Sequence, residues 1–141
     1  LALASRGSTI AGNNGASWGL AIDGNKTVYD GYAGYGYTYW KNVANAPGSM
    51  VLDLKAVCAV QSMKMLLWDQ DSRYYQYKVE GSTDGENWTM LTDRTSGQWK
   101  SLQDITFTSP VAVRYLRLTG TYNSMNSGFH VVEWEVYGTG R

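Results

Sequence analysis

Five stretches of the chain alternate apolar and polar residues with period two, the pattern of a strand that buries one face. In "SMVLDLK", Met50, Leu52 and Leu54 alternate with Val51 and Asp53. "QSMKMLLW" puts Met63, Met65 and Leu67 on one face, and "YYQYKVEGS" sets Tyr75, Tyr77 and Val79 against Gln76, Lys78 and Glu80. Leu116 and Leu118 flank Arg117 in "VRYLRLTG". In "HVVEWEVYG", Val132, Trp134 and Val136 oppose Glu133 and Glu135. "STDGENW" places Asp-Gly between strand patterns, a strong hairpin signal. Pro47 and Pro110 each precede such a pattern, and "ASWGLAIDG" has room for one short helical turn. No helical periodicity, repeat or low-complexity tract interrupts the series. Short antiparallel strands at this spacing predict an all-β sandwich or barrel.

The same alternation sorts the loops by end. One strand runs out to 68–74 and the next runs back to the Asp-Gly turn, so 68–74 and 82–86 lie at opposite ends. The other long connections are 29–47 and "TYNSMNSG", 121–128. Long loops in a compact domain are usually functional. The first contains "GYAGYGYTYW", residues 31–40, with four tyrosines and a tryptophan among three glycines. Glycines at that density suit neither a helix nor a strand interior, so the whole stretch reads as an aromatic loop.

Composition narrows the function. Lysine plus arginine equals aspartate plus glutamate at 12 each, which argues against a nucleic-acid module or an anionic membrane surface. Aromatic residues make up 13%, with Tyr and Trp far outnumbering Phe; their polar tips suit wet binding surfaces. The one cysteine, Cys58 in "KAVCAV", excludes an internal disulfide and reads as a small buried apolar residue. No stretch is long enough for a helical membrane span. The chain begins at Leu1, without a signal-peptide pattern, and reads as a single domain, 1–141, of a larger protein. One histidine, no Cys–His pairing, no phosphate-binding glycine motif and no signalled carboxylate pair predict a protein that is not an enzyme.

The loops supply candidate chemistry. Tyr35, Tyr37, Tyr39 and Trp40 could stack on sugar rings; the alternative is that they fold back and cap the core. In "WDQDSRYY", Trp68 and Asp69 could face a ligand, and Arg73 could bond hydroxyls or shape the loop through an ion pair. Asn123 and Asn126 can donate to and accept from hydroxyls, although Asn also suits turns. His130 begins a strand and reads as a hydrogen-bonded core residue. Asp23, Asn25 and Thr27 in "IDGNKT" offer hard oxygen ligands that Glu133 could complete around calcium; the alternative is an Asx-turn at Asp23 without metal.

"AIDGN", "VLDL", "YKVEGSTDGENWTML", "VRYLRL" and "VVEWEVYG" together resemble the factor V/VIII type C (discoidin-like) domains, in particular the bacterial carbohydrate-binding modules of family 32. The resemblance runs from about Ala21 to Gly138. It implies a jelly-roll-like sandwich of about eight antiparallel strands with a galactose-binding-like fold, and a structural calcium with carbonyl ligands near Leu20 and Val132. It also implies a ligand site built from 29–47, 68–74 and 121–128. The expectation is therefore a monomeric, secreted bacterial module that binds an oligosaccharide or polysaccharide and is attached to a catalytic domain. The alternative is a discoidin-type adhesion domain for a protein or membrane surface; the scarcity of basic and apolar loop residues other than Met125 argues against membrane. Galactose-binding members use a histidine in the first loop, and 29–47 has none.

Overall fold

The computed structural model describes residues 1, 6–12, 15–16, 21–22, 24, 38–40, 48–69, 72–125 and 129–140, with backbone alone for 15–16 and 38–40. The strands are β1 (Thr9–Gly12), β2 (Gly15–Ala16), β3 (Thr38–Trp40), β4 (Ser49–Leu67), β5 (Tyr75–Ser82), β6 (Thr89–Trp99), β7 (Leu102–Asn123) and β8 (Phe129–Thr139). They pair antiparallel in the order β2-β3-β8-β4-β7-β5-β6, and β1 adds to β4. Apart from single 3₁₀ turns, the described residues hold no helix, and none that could cross a membrane.

One ladder becomes a sandwich because β4 and β7 each serve both layers. The first part of β4, 49–53, lies between β1 and 115–119 of β7, and the ladder continues from there to β5 and β6. The second part of β4, 59–67, lies between β8 and the beginning of β7. Register shifts between Asp53 and Cys58 and between Val60 and Ser62 mark the bend, and Lys55 stands in the left-handed region at φ 71°. Bulges of this kind increase local twist and let a strand change layers. Across the layers, the Tyr75 ring on β5 meets Phe129 on β8 edge-on at 4.9 Å. The two stretches read as separate strands, 49–55 and 61–68, are thus parts of one bent strand.

The predicted inward residues form the core. Met50, Leu52, Leu54, Met63, Met65, Leu67, Tyr75, Tyr77, Val79, Leu116, Leu118 and Trp134 are all fully buried. Burial contributes roughly 1.5–3 kcal/mol for each large apolar side chain. β8 departs from strict alternation: Val131, Val132, Glu133 and Trp134 are all buried. A register shift pairs Leu66 with Glu133 but Leu67 with Val131, so Val132 falls in a bulge. Pro110 lies within β7 rather than before it, in the stretch between Thr106 and Val111 where the pairing with β4 breaks.

The Asp-Gly signal marks a six-residue connection, 83–88, in place of a two-residue turn. Asp84 organises it by accepting from the Glu86 and Asn87 amides, both at 2.8 Å, and these bonds hold its carboxyl well below the usual carboxylate range. Gly85 supplies the positive φ, +80°. This turn lies at the far end of β5 from the 68–74 loop, as the alternation requires.

Candidate ligand-binding end

The end of the sandwich where β4 gives way to β5 collects most of the described aromatic and polar candidates. Leu67 N–H donates to the Ser101 carbonyl at 3.0 Å and Trp68 N–H to the His130 carbonyl at 3.1 Å. The Tyr74 N–H donates to Ser124 Oγ at 2.9 Å and the Ser124 N–H to the Tyr74 carbonyl at 3.0 Å. Trp68, Tyr74, Ser101, Ser124 and the start of β8 are therefore brought to one end.

Trp68 is half-buried at the mouth. The Arg73 guanidinium lies 4.5 Å from its ring centroid, a cation–π contact, and the His130 ring is 5.9 Å away, tilted by 57°. A ligand ring must therefore share Trp68 with Arg73 or displace it. Asp69 accepts from Ser101 Oγ at 2.5 Å, and Ser101 stands at φ 55° in the two-residue β6–β7 connection, which links that turn to the Trp68 loop. The Tyr75 hydroxyl donates to the Trp68 carbonyl and contacts His130 Nδ1, both at 3.2 Å. With its one proton given to the carbonyl, the hydroxyl accepts from Nδ1–H, which fixes the imidazole. His130 is half-buried and hydrogen-bonded, in keeping with its reading as a structural residue.

Asn123 is the last residue of β7 and is buried; its Oδ1 accepts from the Met125 amide at 2.9 Å, closing an Asx-turn. The loop expected at 121–128 is accordingly shorter, since Thr121–Asn123 continue β7. Thr38–Trp40 are likewise strand rather than loop, paired with Val131, His130 and Phe129. These three residues contain no glycine, and pairing with β8 gives their backbone a ladder. The register puts Trp40 beside the start of β8, at this same end. Tyr35, Tyr37 and Asn126, and the side chains of Tyr39 and Trp40, lie outside the described residues.

Two aromatic residues absent from the sequence-derived set belong here. Tyr74 and Tyr122 approach at 5.7 Å between centroids; Tyr122 is 37% exposed and Met125 59% exposed. Both tyrosines adjoin strands read for their core faces, which hid them. Their places within the loops 68–74 and 121–128 were the available signal.

Of the calcium candidates, Leu20, Asp23, Asn25 and Thr27 lie outside the described residues. Glu133 is 1% exposed, and its Oε2 accepts from the Gly24 amide at 2.9 Å. Gly24 is thus held at Glu133 on β8, and Ala21 and Ile22 are buried in the core. The Glu133 carboxylate could give calcium one or two of the six to eight oxygens it takes. Among the described residues no three His, Cys, Asp or Glu side chains cluster as a metal site.

The model of F5/F8 type C domains described as "NedA-like, galactose-binding domain" matches residues 20–118. BTB/POZ domain-containing protein 9 of Drosophila melanogaster is 37% identical over 120 residues, which covers 85% of this chain but 16% of that protein. The chain thus spans about a sixth of the length of this relative. Chitosan-binding module 1 of a Paenibacillus sp. IK-5 chitosanase/glucanase is 25% identical, with TM-score 0.72 over 97% of each chain. The family 32 carbohydrate-binding module of Clostridium perfringens NanJ, solved with galactose, is 18% identical, with TM-score 0.72 over 94% of this chain and 93% of its own; at that identity the likeness shows the fold alone. The animal relative conflicts with the bacterial source expected above. The two solved modules share the galactose-binding-like sandwich that the family resemblance implies. On the match over 20–118, the chain belongs to the F5/F8 type C family.

Proposed function

We propose that this domain is a non-catalytic glycan-binding module whose ligand lies against the end formed by 68–74, 121–125 and the start of β8. The observation that carries this reading is the convergence of Trp68, Tyr74 and Tyr122 with Asp69, Arg73 and Ser124 on one rim. Aromatic faces pack on the C–H surfaces of a sugar, and the polar groups bond hydroxyls. Calcium at Glu133, where Leu66 and Val131 of the adjoining register lead straight to this rim, would brace it without touching the sugar.

The test is a glycan array on the isolated domain, followed by calorimetry with the best ligand. Affinity is expected at micromolar to millimolar, because one or two sugar units cover little area. Trp68→Ala and Tyr122→Ala should each cost about 1–3 kcal/mol of binding. Tyr122 is exposed enough that its variant should melt like wild type. Wild-type affinity in both variants would overturn the reading.

A second reading, a protein-docking domain, is favoured by the BTB/POZ relative and by the exposed Tyr122 and Met125. An array without hits, together with loss of a protein partner on Met125→Asp, would select it.

A further inference from the structure

Beside the loop end, on the outer flank of β6 and β7, lies a cleft of about 470 Å³ lined by Arg94, Trp99, Lys100, Leu102, Gln103 and Asp104. None of these residues belongs to the rim described above. The arrangement of Arg94 is unusual. Its Nη1 donates to the Tyr77 hydroxyl at 3.0 Å and to Gln103 Oε1 at 2.8 Å, and its Nη2 to the Asp104 carbonyl at 3.3 Å. All three acceptors are neutral. Gln103 is 3% exposed and is itself fixed by Nε2–H donating to the Lys100 carbonyl at 2.7 Å. Among the described residues neither Arg94 nor Lys100 enters an ion pair.

An arginine bonded only to neutral acceptors keeps its charge and its remaining donors available to an anion. Here the guanidinium is held rigidly while its charge is left unmatched. Three of its five N–H donors are engaged, which leaves Nε–H and one Nη2–H, a fork suited to one carboxylate. The Trp99 ring supports the guanidinium from 4.2 Å, and its own Nε1–H is anchored to the Ser96 carbonyl at 2.6 Å. Lys100 adds a second cation at the lip, and Asp104 partly offsets it. The neighbouring residue, Ser101, bonds Asp69, so the cleft wall is continuous with the loop that carries Trp68.

We propose that this cleft is a second subsite, which takes the carboxylate of a uronic acid unit next to the sugar held at the rim. The proposal rests on the glycan reading for its context but stands on its own residues. A carboxylate on the Arg94 fork places the pyranose ring between Trp99 and Lys100, with the chain directed past Ser101 toward Trp68.

The experiment is a ¹⁵N NMR titration of the whole domain with D-glucuronate, D-glucose and acetate. Glucuronate should shift the Arg94 Nε, Trp99 Nε1 and Lys100 amide signals; glucose should leave them still, and acetate should need a higher concentration. Arg94→Lys should weaken glucuronate about tenfold or more by losing the fork, since hydrogen bonds to charged groups are the strong ones. Lys100→Ala, at an exposed site that folding does not depend on, should weaken it about threefold. Raising the salt should weaken it further. Equal response to glucose or acetate, shifts confined to Trp68 and Tyr122, or wild-type binding by Lys100→Ala would each overturn the proposal. An array on which neutral glycans bind while glucuronate leaves the cleft signals still refutes the subsite alone. Glucuronate shifts without any neutral-glycan binding refute the rim alone.

Discussion

Replacing Tyr77 with phenylalanine tests the buried triad that holds the cleft in place. The Tyr77 ring is fully buried; its hydroxyl accepts from Arg94 and donates to Gln103 Oε1 at 3.0 Å. In Tyr77→Phe, Gln103 Oε1 still accepts from Arg94 and Arg94 still donates to Gln103, so no buried atom loses its last partner. The cost should therefore be that of an ordinary hydrogen bond, about 1–1.5 kcal/mol. Gln103→Leu should cost more, about 2–3 kcal/mol, because the Tyr77 proton loses its acceptor in the core and the Lys100 carbonyl loses its donor. The double variant should show coupling of at least about 0.5 kcal/mol, as expected of residues in one network. Urea unfolding of the three variants measures these values, and the melting temperature of Tyr77→Phe should fall by about 4 °C. Burial pushes the Tyr77 hydroxyl up to about 12 despite the nearby Arg94 charge. A raised folded value means that this contribution is complete below the unfolded tyrosine value near 10 and is lost as pH rises through about 12. Tyr77→Phe should lack that alkaline loss. A larger cost for Tyr77→Phe than for Gln103→Leu, or strict additivity, would refute the description of the triad.

Three further outcomes follow from other residues. Hydrogen bonds from Arg114 hold Asp53 down at about 2, against desolvation, so its stabilising contribution is present above the ordinary carboxylate value and disappears as pH falls toward 2. With side-chain exposures of 18% for Asp53 and 36% for Arg114, solvent screening limits this to about 1 kcal/mol, which urea melts of wild type and Asp53→Asn at pH 5 and pH 2.5 should resolve. If Glu133 ligates calcium, chelator should lower the melting temperature, calcium should restore it and Glu133→Gln should be insensitive to both; a hundredfold excess over Kd corresponds to about 2.7 kcal/mol, and identical melts with and without chelator after dialysis would remove the metal. A Cβ at Gly138 would stand 2.1 Å from the Ala59 carbonyl oxygen, a backbone atom that cannot swing away, so Gly138→Ala should destabilise by about 3 kcal/mol in thermal or urea melts.

The strands legible in the sequence are those with one face in the core. Met50, Leu52 and Leu54, or Tyr75, Tyr77 and Val79, alternate because the sandwich dries one side of their strand and wets the other. β1 and β6 lie at edges and bury little, so their residues carry no such rhythm. The beginning of β7 inverts it: Leu102 is 52% exposed while Gln103 faces inward to receive Arg94 and Tyr77. A hydrophobic pattern cannot show a polar residue buried for its hydrogen bonds, nor the arginine that makes that burial tolerable. The same limit explains the two site regions. Trp68, Asp69 and Arg73 stood out because they interrupt a strand pattern within a loop. Arg94, Trp99 and Gln103 did not, because each sits in a strand whose pattern is silent and their partnership exists only once β5, β6 and β7 are side by side. Tyr77 shows where the two meet: its ring was read correctly as core, while its hydroxyl reaches through the sheet edge to hold a charged group at the surface. In this fold the tyrosines that build the core also position the polar groups at its rim, as Tyr75 does for Trp68 and His130 at the loop end. Tyr-for-Phe preference in the composition is therefore as much a property of the core as of the binding surface.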